Sequence, residues 1–147
     1  MKCKMEERNT TAGVLIRDGK YLIAKRVEGG PVGGLWEFVG GKCQNGEPPE
    51  EALIREFEEE LGISVAVGRL LATHTFENNQ VRYHLGAYEV KRLDSRPITL
   101  SVHTEIAWAS YSELDAYSFP PSDQAIISQL GQRKNSTAAR SIPRPSL

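Results

Sequence analysis

Runs of β-branched and apolar residues, separated by turn-forming residues, recur along much of the chain and predict a sheet. Thr10–Arg17 is rich in β-branched residues, and Asp18-Gly19 after it is a hairpin turn signal that leads into a second apolar run over 20–27. Further strands are predicted over 35–39, 63–76, 80–90 and 104–109, with Asn78-Asn79 as the turn between the second and third of these runs. The chain is therefore expected to open as two antiparallel strands of a larger sheet.

One segment has the signals of a helix. Pro48 and Pro49 suit a first helical turn, and Gly62 suits a C-terminal cap, so a helix is expected over about 48–61. Shorter helices are predicted near 111–117 and over 121–131. Strands around one helix, with helices after them, indicate an α+β or α/β layered domain.

Composition adds a domain boundary. The 147 residues, 39% of them hydrophobic and 25% charged, suit one globular domain, which we place at 1–131. Residues 132–147 contain four basic residues, no acidic residue and no hydrophobic periodicity, so they are expected to form a disordered basic tail. A basic interaction arm is the alternative reading of this tail.

Charge, apolar runs and cysteines exclude several classes. The formal net charge of −1 gives no footprint for duplex nucleic acid. No apolar run approaches the roughly 20 residues that cross a bilayer. Two cysteines, Cys3 and Cys43, are too few for a disulfide framework. A cytoplasmic protein with no membrane partner is expected.

The predicted helix is unusually acidic, since seven of the fourteen residues over 47–60 are Glu. On a helical wheel Glu56, Glu59 and Glu60 share one stripe, while Leu53 and Phe57 lie on the apolar stripe. Two ionised Glu about 6 Å apart repel by about 3 kcal/mol at an effective dielectric of about 20. A hard divalent cation, Mg²⁺ or Mn²⁺, would offset this repulsion. The alternative is a solvated acidic face that only aids solubility.

The spacing of these residues resembles a known motif. Gly41, five residues, Glu47, seven residues and then Arg55-Glu56-Phe57-Glu58-Glu59-Glu60-Leu61-Gly62-Ile63 match the Nudix box, G-x5-E-x7-R-E-U-x-E-E-x-G-U, at all nine constrained positions. The chain around the box resembles the MutT-like nucleotide-cleaving branch of this family. Val39, where that branch usually has Pro, is a departure that bears on the rigidity of the loop.

The resemblance implies a layered α/β/α fold with a mixed sheet, and metal-dependent hydrolysis of a nucleoside diphosphate linked to another group. By their places in the motif, Glu56, Glu59 and Glu60 would hold the cation or orient the attacking water, and the carbonyl of Gly40 would add a ligand. Glu56 is favoured as the general base. Arg55 would orient these carboxylates.

In the same way, Glu47 would anchor the loop to the helix. Outside the box, Arg26 and Lys42 would neutralise phosphate charge, although each could equally be a solvated surface cation. Glu105, in a segment that resembles H-x-E-U-x-W, is a candidate for an extra metal ligand or base. Asp123 would accept hydrogen bonds from a base, with a helix N-cap as its alternative role.

Three classes of function stay open. The first is hydrolysis of (deoxy)nucleoside triphosphates, including oxidised ones such as 8-oxo-dGTP, to the monophosphate and pyrophosphate. The second is a Nudix hydrolase of ADP-ribose or diadenosine polyphosphates, which is disfavoured because the window around 78–81 has neither the Pro nor the Tyr of those branches. The third is a catalytically silent Nudix-like binding domain, which usually lacks the glutamates. The sequence names neither the preferred base nor the choice between monomer and homodimer.

Overall fold

The structure, a computed structural model, describes the backbone of residues 5–141 and the side chains of residues 5–133. This part of the chain forms seven strands, two α-helices and one 3-10 helix. In chain order these are β1 (Glu6–Arg17), β2 (Lys20–Arg26), β3 (Trp36–Glu37), β4 (Gly40–Lys42), α1 (Pro49–Leu61), β5 (Val65–Asn78), β6 (Val81–Arg92), β7 (His103–Ala109), the 3-10 helix (Ser112–Ala116) and α2 (Pro121–Ser141).

The strands form one mixed sheet with β1 at its centre. β1 runs parallel to β6 and antiparallel to β2 and β4. β2 also pairs with β3 and β7, and β5 pairs with β6 at the opposite edge. The parallel contact between β1 and β6 requires a long crossover, and α1 lies within it.

Helices cover both faces of the sheet. The consecutive β1 residues Val14 and Leu15 belong to two different core clusters, and neighbouring strand residues point to opposite faces. Leu53 and Phe57 of α1 join the cluster of Leu15, whereas Ile126 of α2 joins the cluster of Val14. The expected α+β class, a mixed sheet flanked by helices, is confirmed.

Both predicted hairpins are present, one of them shifted. Asp18 and Gly19 have φ angles of 53° and 76°, as a two-residue type I′ turn requires. Between β5 and β6 the left-handed residues are Asn79 and Gln80, with φ of 51° and 63°, because Asn78 pairs with Val81 in the ladder. The turn therefore lies one residue later than the sequence suggested.

Helix α1 begins and ends close to the prolines and the glycine that predict its ends. Pro48 is the N-cap in an extended conformation, and Pro49 is the first helical residue. Gly62 closes the helix in the left-handed region at φ 69°, and its N–H donates to the carbonyl of Glu58 at 3.0 Å. This fixes the register of the glutamates against the sheet.

Two predicted elements differ from the structure. The strand expected over 35–39 is shorter, β3, and a further strand that the sequence did not predict, β4, follows it because the backbone of Gly40-Gly41 pairs with β1. α2 continues to Ser141, whereas the sequence placed its end at 131 and a disordered tail from 132. Residues 132–141 are mostly good helix formers, and the next proline is Pro143. The rest of the predicted tail, 142–147, lies outside the described residues.

None of the helices that the structure describes has both the length and the apolar character needed to cross a membrane.

Candidate active site

Two glycines let the β4 backbone lie directly against its neighbours, Gly40 against β1 and Gly41 against α1. A Cβ atom on Gly40 would collide with the carbonyl oxygen of Thr11, and a Cβ atom on Gly41 would collide with the carboxylate of Glu56. The Gly41 carbonyl in turn accepts from the hydroxyls of Thr10 and Thr11, each at 3.1 Å. Glycine at these positions lets the strand lie within contact distance of the carboxylate stripe.

Arg55 of α1 contacts three glutamates, one in the loop before the helix and two on the helix itself. Its Nε and Nη2 donate to the two carboxylate oxygens of Glu47, both at 2.9 Å, and Nη2 also donates to the carbonyl of Lys42 at 3.2 Å. Its Nη1 donates to Glu56 at 2.6 Å and to Glu59 at 2.9 Å. These are the contacts that the resemblance implied for Arg55 and Glu47, and their part in catalysis stays a prediction.

Electrostatics keep the loop anchor ionised. The bidentate bonds from Arg55, with a further bond from the backbone N–H of Gln44, lower the pKa of Glu47 to about 2. The same pairing raises the pKa of the Arg55 guanidinium, which therefore stays charged. The ion pair therefore holds the loop against the helix.

Glu60 is the buried member of the carboxylate stripe. Its residue surface is only 7% exposed, and within the described residues its Oε1 has no hydrogen-bond partner. Burial, with the neighbouring Glu56 and Glu37 carboxyls, raises the pKa of Glu60 to about 9. A cation at this position would compensate the buried carboxylate.

Two residues that the sequence did not single out as site residues stand beside Glu60. The His103 side chain is fully buried, and its Nε2 lies at hydrogen-bond distance from Oε2 of Glu37, 2.8 Å, and 3.7 Å from Oε1 of Glu60. Nη1 of Arg26 donates to the same Glu37 oxygen at 3.3 Å. The segments containing Glu37 and His103 fit the family pattern, but β2 alone brings them together in space, by pairing with both β3 and β7.

The donor set suits a hard divalent cation. Glu56 and Glu60 come from one helix face, and Glu60 offers a buried oxygen without a partner in the described structure. Glu59 is more exposed and is held by Arg55. Carboxylate oxygens are the ligands that Mg²⁺ and Mn²⁺ prefer. The orientation of the Gly40 carbonyl toward a cation stays a prediction.

A cleft of about 210 Å³ opens beside these carboxylates, between β1, β4 and the start of α2. Its lining includes Arg26, Lys42, Phe76 and Asp123. The Nζ of Lys42 lies 5.3 Å from the ring centroid of Tyr83. Of the sequence-predicted residues, Arg26, Lys42 and Asp123 are thus brought to one cleft.

Asp123 is not a helix cap. α2 begins at Pro121, so Asp123 lies in its first turn, where its Oδ1 accepts from the backbone N–H of Phe38 at 3.0 Å. Burial raises the pKa of Asp123 to about 7. The N-cap alternative is wrong, and the carboxyl ties the helix to the segment between β3 and β4.

Glu105 does not reach the carboxylate cluster. Its carboxylate is exposed and lies 4.0 Å from the ammonium of Lys25. A register shift at Lys25 and Arg26 leaves Thr104 without a partner on β2, so the strict alternation that would put His103 and Glu105 on one face is broken. His103 consequently contacts Glu37 while Glu105 lies beside Lys25.

Comparison with known proteins agrees with this geometry. A family model described as NUDIX domain matches residues 11–129. The chain is 36% identical over 116 residues to a CTP pyrophosphohydrolase of Escherichia coli, covering 79% of this chain and 85% of that protein. It is 34% identical over 131 residues to a putative 8-oxo-dGTP diphosphatase 2 of Mycobacterium tuberculosis, covering 87% and 91%.

A solved structure shares the fold. The solution structure of the E. coli ORF135 protein superposes with a TM-score of 0.76 at 33% identity, covering 97% of this chain and 96% of that one. The motif, the layered fold, the family match and these relatives agree, and the chain belongs to the Nudix hydrolase family.

Proposed function

We propose that this protein hydrolyses (deoxy)nucleoside triphosphates, including oxidised ones such as 8-oxo-dGTP, to the nucleoside monophosphate and pyrophosphate with Mg²⁺ or Mn²⁺. The observation that carries the proposal is the complete carboxylate stripe of α1, with the buried Glu60 oxygen, beside a cleft that contains Arg26 and Asp123. Relatives named as a CTP pyrophosphohydrolase and 8-oxo-dGTP diphosphatases support it.

The carboxylates divide the work of hydrolysis. Glu56, Glu59 and Glu60, with the carbonyl of Gly40, would hold the cation. A cation bound there would neutralise phosphate charge and lower the pKa of its water. Glu56 takes a proton from the water that attacks a phosphorus of the link between the α- and β-phosphates. The phosphoanhydride P–O bond breaks, and pyrophosphate leaves the monophosphate.

Other residues position these groups. Arg55 fixes the carboxylate of Glu56 through the 2.6 Å bond, so that the base points in one direction. Arg26 and Lys42 line the cleft and would face the phosphates of the nucleotide. Glu105 receives no part in this proposal, because its partner in the structure is Lys25.

Asp123 is proposed to read the base. A carboxyl whose pKa is raised to about 7 offers an acceptor, when ionised, for the ring or exocyclic N–H groups of cytosine, adenine, guanine and its oxidised form. One of its oxygens is already held by Phe38, which fixes its direction. These contacts favour bases that present N–H groups and do not choose among them.

A substrate panel tests the proposal. The protein is incubated with Mg²⁺ and either ordinary nucleoside triphosphates, 8-oxo-dGTP, ADP-ribose or diadenosine polyphosphates, and kcat/KM is compared. The proposal expects at least one nucleoside triphosphate to exceed ADP-ribose and the diadenosine polyphosphates by about tenfold or more, which corresponds to about 1.4 kcal/mol of transition-state discrimination. A preference for either of those two would move the protein to another Nudix substrate class. Inactivity on the whole panel would favour the binding domain.

A further inference from the structure

A buried histidine and a half-buried glutamate outside the Nudix box face the glutamate helix. Glu37 on β3 and His103 on β7 meet Glu60 of α1, and one donor atom from each of the three lies within 4.8 Å of the others. The unpartnered Oε1 of Glu60, on a residue 7% exposed, belongs to this group. An acceptor buried in this way needs a proton donor or a cation.

The hydrogen bonds show which of the two residues has a free atom for a cation. Because a carboxylate oxygen accepts hydrogen bonds, Nε2 of His103 is assigned as the donor to Oε2 of Glu37, and Nδ1 of His103 is buried with no partner among the residues described. Metal-bound imidazoles almost always donate their second ring N–H to an acceptor. Nε2 lies 3.7 Å from Oε1 of Glu60 but is already engaged with Glu37, so ligation through Nε2 would break that bond, and His103 is better suited to donating than to ligating.

Glu37 is held on one oxygen only. Its Oε2 accepts from both His103 and Arg26, at 2.8 and 3.3 Å. No hydrogen bond within the described residues engages its Oε1, and the side chain retains 16% of its exposure, on the cleft that Arg26 and Asp123 also line. A carboxylate fixed through one oxygen and open on the other has the arrangement of a cation ligand with supporting contacts.

We propose that Glu37 is an additional ligand of the cation beside Glu60, and that His103 is a positioning residue that fixes the Glu37 carboxylate. This inference rests on the proposed metal-dependent function. It adds a ligand from β3 to the glutamates of α1, so that the cation joins the helix to the sheet edge at the mouth of the nucleotide cleft.

Binding of Mn²⁺ alone, without nucleotide, measures this directly. Free Mn²⁺ is followed by electron paramagnetic resonance during titration of the wild type and of Glu37→Gln, Glu37→Asp and His103→Leu. Glu37→Gln removes the ligand charge while keeping the shape, and Glu37→Asp keeps the charge while withdrawing the oxygen by one methylene. His84→Gln is the matched control, because His84 pairs with Glu7 at 2.5 Å in an exposed position.

We expect the Kd for Mn²⁺ to rise by about 10- to 100-fold in Glu37→Gln, Glu37→Asp and His103→Leu. In His84→Gln it should stay within twofold of the wild type. A Kd for Glu37→Gln within twofold of the wild type overturns the inference. An unchanged Kd for Glu37→Asp beside a weakened Glu37→Gln overturns ligation as well, because charge alone would then account for the loss.

If Glu37→Gln does not fold by circular dichroism, Glu37→Asp and His103→Leu decide, and an unchanged Kd in either overturns the inference. The proposed function fails separately. In that case the wild type itself binds no Mn²⁺ and cleaves no nucleotide, whereas failure of this inference leaves both properties of the wild type in place.

Discussion

At the scale of single residues, the site combines carboxyls in very different environments. Glu59 has a side chain 56% exposed and paired with Arg55, while Glu60 is buried and its pKa is raised to about 9. Both stand in the same stripe of one helix, three and four residues after Glu56. The pattern in the sequence places them together, and the depth of each in the fold sets its electrostatics.

Glu59→Gln and Glu60→Gln are expected to lower kcat by about 100-fold or more with Mg²⁺ present, because each removes a cation ligand. The fold should persist, since neither change opens a cavity and Gln keeps the shape of Glu. Turnover by rapid quench and the melting temperature are measured together. Unchanged kcat in both variants would contradict the proposal that Glu59 and Glu60 hold the cation.

The ionisation of Asp123 predicts a pH-dependent stability. Its pKa is raised from 3.8 to about 7 in the folded chain, so the folded state holds a proton that the unfolded state has lost between these values. The stability linked to this group is full below pH 4 and is lost as the pH rises through 7. Asn at this position keeps an acceptor for the N–H of Phe38 but does not ionise. The free energy of unfolding of Asp123→Asn, minus that of the wild type, should therefore increase from pH 5 to pH 8, as measured by urea denaturation. A difference that does not change with pH would contradict the burial of an ionisable group.

At the scale of elements, the distance between α1 and the sheet depends on one glycine. A Cβ on Gly13 of β1 would collide with the ring of Phe57, the largest fully buried side chain of the molecule as described. The residue therefore lets the helix that bears the glutamates lie close to the strand, with the N–H of Gly13 donating to the carbonyl of Val39 at 2.7 Å.

Gly13→Ala is expected to destabilise the protein by about 1–3 kcal/mol through overpacking and to lower kcat by moving α1. Phe57→Leu in the same chain should recover part of both losses, because the smaller side chain makes room for the methyl group. A double-mutant cycle on the free energy of unfolding measures the coupling. Strict additivity of the two changes would show that the contact does not set the position of the helix.

Elements whose ends are marked by prolines, glycines or turn residues could be predicted from the sequence. Elements whose bounds depend on pairing with distant strands could not. α1 agrees with its prediction to within one residue because prolines and Gly62 mark its ends. β1 begins at Glu6, four residues before the predicted start, because the polar residues there pair with β6 rather than follow a hydrophobic pattern. Glu37 and His103 are 66 residues apart, so only the pairing of β2 with both of their strands reveals their contact.

At the scale of the whole molecule, α2 ties the far edge of the sheet to the cleft. Asp123 at its start contacts Phe38, and Arg133 further along donates to the carbonyls of Leu70 and Leu71 at 3.3 and 2.9 Å, where β5 is irregular. The helix thus satisfies backbone groups that the irregular ladder leaves open.

Two truncations test where the functional domain ends. Deletion of 134–147 keeps Arg133 and is expected to leave kcat/KM and the melting temperature close to those of the full chain. Deletion of 132–147 also removes the two bonds to the β5 carbonyls, and each bond lost costs about 1 kcal/mol. The shorter protein should melt at a lower temperature with kcat/KM intact. A large rise in KM for either truncation would show that the basic residues of the tail reach the substrate.

The products of the reaction test the central claim most directly. The wild type is incubated with Mg²⁺ and its best nucleoside triphosphate in ¹⁸O-enriched water, and phosphorus NMR follows the products, with EDTA in a parallel sample. The account predicts nucleoside monophosphate and pyrophosphate in equal amounts, one ¹⁸O in one of them, and no reaction with EDTA. Nucleoside diphosphate with free phosphate, or equal rates with and without EDTA, would contradict it.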